Sequence, residues 1–148
     1  MMSYHQIGVI LCLAILWGCA APPIKQEVQL PSQVLNQVQP AEGSSFVVIY
    51  NDSNRVKYGI DGSGKINITL DGKGVGQLAI GEYVMVETSP GIHTVHLLHR
   101  DIMNFDSTHE FPASDRLRFV KIYSKMTSNG LEVTGRPRNF ESEFSPAY

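Results

Sequence analysis

Five histidines, two cysteines and a scatter of serines and aspartates are the side chains with which this chain could do chemistry. His93, His96 and His99 stand three residues apart. On a helix that spacing would gather three imidazoles on one face, as a metal site requires. The residues around them, Ile92 to Leu98, read instead as a strand. Side chains on a strand alternate, so His93 and His99 are expected on one face and His96 on the other. Convergence would need a bulge, and His109 could approach His99 only across a loop. The expectation is ordinary, partly exposed histidines with no metal and no cofactor.

Other strings fall short for identifiable reasons. Residues 59–65, Gly-Ile-Asp-Gly-Ser-Gly-Lys, follow most of a phosphate-binding loop. Ile66 stands where Ser or Thr would hold magnesium, and a strand follows where a helix N-terminus should face the phosphate. Ser53 or Ser63 could be joined on paper to a histidine and an aspartate, but no G-x-S-x-G nucleophile elbow is present. Asp52-Ser53-Asn54-Arg55-Val56 abandons the alternating oxygen ligands of a calcium loop after two positions. Asn51-Asp52-Ser53 and Asn67-Ile68-Thr69 fit the glycosylation sequon. No catalytic residues are expected, and the chain reads as a non-enzyme.

Cys19 is different, because its surroundings define a reaction. Ile7 to Trp17 is an uncharged apolar run, and all 12 basic and 14 acidic residues follow Cys19. The run is shorter than the roughly 20 residues that cross a bilayer, but it fits the 7–15-residue core of a signal peptide. Pro22 and Pro23 stop it continuing as a helix. Leu16-Trp17-Gly18-Cys19 resembles the lipobox of bacterial lipoproteins. That resemblance implies diacylglyceryl transfer to the Cys19 thiol, cleavage between Gly18 and Cys19, and acylation of the new amino terminus. Trp17 is bulkier than the lipobox residue it replaces, and the segment before the run has no Lys or Arg. Both predict slower processing at an unchanged atom. By resemblance to lipoprotein sorting rules, Ala20 in place of Asp favours the outer membrane, facing the periplasm.

Residues 1–18 are thus expected to be a signal peptide. Residues 19–43 are expected to be a lipidated cysteine and a flexible linker, since Pro22 to Gly43 is rich in proline and glutamine and poor in aromatics. Fully extended, that linker would reach about 70 Å. Ser32 to Gln39 has the spacing of one or two helical turns at most. The net charge of −2 offers no basic footprint for nucleic acid. Once Cys12 leaves with the signal and Cys19 is lipidated, the folded part has no thiol and no disulfide.

From Ser44 the texture is that of short strands between turns. Phe46 to Tyr50 is continuously apolar, as in a strand buried on both faces. Arg55 to Ile60 reads as a weaker strand. Lys65 to Leu70 alternates cleanly, and Asp71-Gly72-Lys73-Gly74 supplies hairpin chemistry, with Gly72 and Gly74 free to take left-handed conformations. Val75 to Ile80 returns, and Glu82 to Thr88 follows Gly81. Pro90 and Gly91 close a turn before the histidine-bearing strand, where His93 is placed to hydrogen-bond that turn. A last hairpin is expected around Ser128-Asn129-Gly130. The sum is an all-β, antiparallel sandwich of about seven or eight strands over residues 44–135. Residues 136–148 form a tail or final strand, whose Phe140 and Phe144 are expected to pack on their own domain rather than anchor a partner.

Ile68 to Leu78, with Asp71-Gly72-Lys73-Gly74-Val75-Gly76, then Gly81-Glu82-Tyr83, then Ser89-Pro90-Gly91-Ile92-His93-Thr94-Val95, resembles the DUF2846 family of bacterial lipoproteins. The pattern is more loosely similar to PEGA-type β-sandwich domains. The resemblance covers about Phe46 to Val133. It implies an all-β fold on a lipid tether and lends no catalytic residues. The functional expectation is a membrane-anchored scaffold or binder of an envelope protein. The alternative is a peptidoglycan or carbohydrate binder using Tyr58, Tyr83 and Tyr123 as exposed platforms; a hydrolase ranks below both.

Overall fold

The computed structural model describes residues 21–35, 40–58, 64–101, 103–114 and 116–148. The segment expected to be a signal peptide, Cys19, the end of the helical turn expected at 32–39 and residues 59–63 of the glycine-rich string lie outside them. No helix among the described residues is long and apolar enough to cross a membrane.

The elements run in the order β1 (Ser45–Asn51), α1 (Arg55–Tyr58), β2 (Ile66–Leu70), β3 (Lys73–Leu78), β4 (Glu82–Thr88), β5 (Gly91–Arg100), β6 (Asn104–Ala113), β7 (Arg118–Ser124), β8 (Asn129–Thr134), α2 (Phe140–Glu143) and β9 (Ser145–Pro146). They build a sandwich of two sheets. One has five strands in the order β8-β7-β1-β4-β9, the other four in the order β3-β2-β5-β6. The all-β sandwich is as expected, with two departures. Among the described residues there are nine strands, the last of two residues, and the pairings β1 with β7 and β4 with β9 are parallel.

β1 explains its own continuous hydrophobicity. It lies in the middle of the five-stranded sheet, and every one of its residues is buried. Val47 and Ile49 enter the core between the sheets with Ile66, Ile68, Val95, Leu97, Phe111 and Ile122. Phe46, Val48 and Tyr50 point the other way, into a second cluster with Tyr83, Phe119, Phe140 and Phe144. The C-terminal segment lays Phe140 at its centre, with no exposed surface. The Phe140 ring is 5.0 Å from Phe144, 5.1 Å from Tyr83, 5.2 Å from Phe119 and 5.5 Å from Tyr50. Both phenylalanines of the tail therefore serve the domain's own packing.

Local chemistry sets the turns. Asp71 and Gly72 have φ of 48° and 78°, the paired positive values of a two-residue hairpin. Gly74 has no such φ and is needed for another reason, described below. Positive φ falls instead at Gly76, beside a register shift between Ile68 and Thr69. The weak strand expected from Arg55 is a single helical turn. Asn54 Oδ1 accepts from the N–H groups of Val56 and Lys57, both at 3.0 Å, and that cap starts a helix.

Two ends of the sandwich matter below. At the upper end β1, β3, β5 and β7 finish and α1 and the β5–β6 and β7–β8 turns project. At the lower end lie the Asp71-Gly72 turn and the Ser89-Pro90 turn.

Candidate functional site

The expected flexible linker is, over residues 21–35, a strap laid on the sandwich. It starts over the four-stranded sheet, where Ala21 is 2% exposed. Gln77 Nε2 donates to the Ala21 carbonyl and Asn67 Nδ2 to the Pro22 carbonyl, each at 2.8 Å. The strap then follows β3 to Gly74. There the Gly74 N–H donates to the Glu27 carboxylate at 2.9 Å, and the Glu27 N–H to the Gly74 carbonyl at 2.7 Å. A Cβ on Gly74 would collide with the Lys25 carbonyl oxygen. Close backbone approach, not a left-handed turn, is what requires glycine at this position. Val28 and Leu30 next close the side of the main core, and Leu35 packs on the aromatic cluster. A polar, proline-rich segment cannot build a core, but a few apolar residues suffice to complete one that already exists.

His93 sits at the lower end, nearly buried at 6% exposure. Its Nδ1 is 2.6 Å from Asp71 Oδ2 and its Nε2 is 2.7 Å from the Ser89 carbonyl. Both partners are acceptors, so both ring nitrogens donate only when the ring is an imidazolium. Burial alone would lower the His93 pKa; the Asp71 hydrogen bond, the Ser89 carbonyl and the Asp71 charge outweigh it and hold it above the usual value. Burial likewise works to raise the Asp71 carboxyl, but the His93 bond, the Thr94 N–H at 2.9 Å and the cation charge pull it below its usual value. Thr88 Oγ1 lies 3.3 Å from Nδ1 and 3.2 Å from Nε2. A hydroxyl equidistant from both nitrogens is not aligned with either lone pair. With Nε2 committed to a carbonyl, Asp71, His93 and Thr88 lack the nucleophile–base alignment of an acyl-transfer triad. They clamp the β2–β3 turn to the β4–β5 turn.

His99 is the opposite case at the upper end, with no exposed surface. Its Nδ1 lies 2.7 Å from Asn129 Oδ1, while Asn129 Nδ2 donates to the carbonyls of Leu97 and Phe105, each at 3.1 Å. The amide orientation makes Oδ1 the acceptor, so Nδ1 carries the ring proton. Nε2 has no hydrogen-bond partner among the described residues. Burial drives the His99 pKa down, against the Asn129 bond and the Asp101 charge. The ring stacks on Phe105 at 5.3 Å and meets Tyr58 edge-on at 6.2 Å.

The histidine faces follow the expected alternation, but His93 and His99 are buried rather than partly exposed. His96 is half-exposed opposite Thr108, and His109 pairs with Val95, four residues along the strand from His99. Among the described residues no three His, Cys, Asp or Glu side chains are grouped as metal ligands. Two of the three expected aromatic platforms are also inside: Tyr58 is 4% and Tyr83 7% exposed. Tyr123 stays partly open, with the amines of Lys121 and Lys125 at 5.3 and 5.4 Å from its ring centre. Pro90 bends the chain between β4 and β5, and Gly91, at φ 143°, opens β5.

The described residues also form two concave features. An open groove of about 670 Å³ lies between strap and C-terminal segment, with Gln26, Gln33, Leu35, Tyr83, Glu141 and Tyr148 on its walls. A polar recess of about 350 Å³ at the upper end holds Asp52, Arg55 and Glu143. Burial raises the Asp52 carboxyl, opposed chiefly by Lys121.

The residues that sequence reasoning missed are buried amides. Asn51 joins the sheets by donating to the carbonyls of Gly64 at 2.7 Å and Leu78 at 3.0 Å. Asn129 does the same between β8 and β5–β6. Asn51 stands in Asn-Asp-Ser-Asn and Asn129 in Ser-Asn-Gly, both of which read as turns, and no local signal separates a buried bridging amide from a solvated one. No protein-family model, no curated protein and no solved structure matches the chain.

Proposed function

We propose that the chain is an exported lipoprotein, cut before Cys19 and held by lipid on that residue at the outer membrane. Its sandwich binds or scaffolds another envelope component without catalysis. The observation that carries this reading is the order of uncharged apolar run, Leu16-Trp17-Gly18-Cys19, and polar mature chain. The resemblance to DUF2846 lipoproteins supports it. Two or more acyl chains anchor stably, at about 0.8 kcal/mol per buried CH₂, where one anchors marginally. Palmitate labelling of the native chain and of Cys19→Ala tests the anchor; equal labelling, or none in either, would refute it. Pull-down from envelope extracts tests the scaffold role, and recovery of no reproducible partner counts against it.

A second reading, binding of peptidoglycan or another carbohydrate, draws support from the groove. Tyr148 is 53% exposed there, beside the amides of Gln26 and Gln33 and the Glu141 carboxylate. An open ring flanked by hydrogen-bonding groups suits a sugar. Sedimentation with purified cell-wall sacculi separates the two: a protein scaffold stays in the supernatant.

A further inference from the structure

We propose that the upper end of the sandwich is the surface that meets the lipid bilayer. The inference rests on the reading of Cys19 as the lipidated residue. The strap enters the sandwich at that end. Ala21 and Pro22 are held by Gln77 and Asn67, whose side chains share a bond at 3.0 Å. These two residues oppose each other one step from the Ile66–Leu78 pair that ends the hairpin. From there the strap runs away from the upper end, toward Gly74.

Cys19 precedes the fixed Ala21 by two residues, which span at most about 7 Å. Acyl chains on Cys19 therefore bring this end of the body to the bilayer surface. A free linker from Cys19 to Gly43 would have let the domain stand off by tens of ångströms; the strap uses that length up along the sandwich.

The upper end has the side chains such a surface needs. Among the described residues, each of three projecting segments carries an exposed apolar side chain: Val56 on α1 at 85%, Met103 in the β5–β6 turn at 60%, and Met126 in the β7–β8 turn at 69%. Arg55 and Lys57 flank Val56, Lys125 precedes Met126, and Arg100 stands three residues before Met103. Apolar tips with cationic flanks suit an interface where hydrocarbon lies beneath phosphate. Acidic groups are also present: Asp101 offsets Arg100, and Asp52 and Glu143 line the recess with Arg55. Insertion of the apolar tips is thus the main attraction and charge the lesser one. Separate tips on separate loops fit a fluid bilayer better than a shaped protein pocket, which favours one contiguous apolar patch. Ile92, 67% exposed, stands at the lower end and serves as the control position.

The test uses the full lipidated chain in vesicles of phosphatidylethanolamine and phosphatidylglycerol. Val56→Cys, Met103→Cys, Met126→Cys and Ile92→Cys are each labelled with an environment-sensitive fluorophore. Cys19 is blocked by its lipid, and an unchanged unfolding midpoint confirms that each variant folds. Nitroxide carried on lipid should quench the three upper sites several-fold more than Ile92, and aqueous iodide should quench them less. Equal aqueous quenching at all four sites, or lipid quenching at Ile92 instead, overturns the proposal while flotation with vesicles leaves the anchor standing. Shielding from iodide without lipid quenching also overturns it, because the end is then covered by protein. A chain that neither floats nor takes up palmitate removes anchor and surface together.

Discussion

The side chain of Gln33 acts as a rung of β-ladder beside Met85. Its Oε1 accepts from the Met85 N–H at 2.6 Å, and its Nε2 donates to the Met85 carbonyl at 3.1 Å. β9 pairs with β4 only at Glu82 and Tyr83, so among the described residues no strand completes the edge beyond it. One amide group supplies the donor and acceptor that a neighbouring residue would have supplied. Tyr83 adds a bond from its hydroxyl to the Gln33 carbonyl at 2.6 Å.

Gln33→Ala should leave both Met85 groups without their partner. An unsatisfied polar group away from water costs about 1–3 kcal/mol, and the fall in urea-unfolding stability should lie in that range. Amide exchange at Met85 should accelerate in parallel. Gln29→Ala, an exposed change on the same strap, should stay within about 0.5 kcal/mol of the native chain.

Gly74→Val should dislodge the strap, because the obstacle is the Lys25 backbone and not a side chain that can swing away. Trypsin cleavage after Lys25 should become markedly faster while the sandwich resists. Gly72→Ala provides the contrast. Its φ of 78° disfavours a side chain, but nothing lies within 4 Å of the new Cβ. It should cost about 1–2 kcal/mol and leave the strap protected.

The Asp71–His93 pair should stabilise the fold in a limited pH window. Asp71 is lowered, so its contribution is present above its unfolded pKa of about 3.9 and is lost as pH falls through the folded value. His93 is raised, so its contribution is full below about 6.5 and is lost as pH rises through the folded value. The stability difference between the native chain and Asp71→Asn should peak between about pH 4 and 6.5. Chemical denaturation across that range would show it, and a difference independent of pH would contradict the clamp.

His99 should act in the opposite sense. Its folded pKa is lowered, so acid protonates the unfolded chain first and destabilises the fold as pH drops below about 6.5. His99→Phe keeps an aromatic ring beside Phe105 and removes the titrating group. The variant should lose much of this acid sensitivity, although Asn129 loses one partner. Denaturation midpoints at pH 7 and pH 5 would measure the change.

Phe140→Ala should be the most damaging single change in the C-terminal segment. It empties the centre of the aromatic cluster, and large-to-small changes at buried phenylalanines cost about 3–5 kcal/mol. The intrinsic fluorescence of Tyr50 and Tyr83 should become more accessible to aqueous quencher at the same time.

Much of the sandwich was legible in the sequence. Lys65 to Leu70 alternates, Phe46 to Tyr50 is apolar throughout, and Asp71-Gly72 carries turn chemistry, so strands and hairpin were predictable from neighbours alone. α1 was misread because the Asn54 cap competes with weak strand propensity, and the two parallel pairings leave no trace in local periodicity.

The sequence by itself determined the β-rich body, the places where the chain turns and the uncharged apolar run that leads to Gly18-Cys19. Each depends on residues close together along the chain. Tertiary structure alone decided what Pro22 to Leu35 does, because composition shows only that the segment cannot build a core of its own. Gln33 meets Met85 across 52 residues and Asn67 meets Pro22 across 45. It also decided that the His93 cation is favoured, between two acceptors, and the His99 cation disfavoured by burial. The two residues are of one type on one strand face, and partners outside that strand distinguish them: Asp71 and the Ser89 carbonyl around one, Asn129 and an apolar wall around the other.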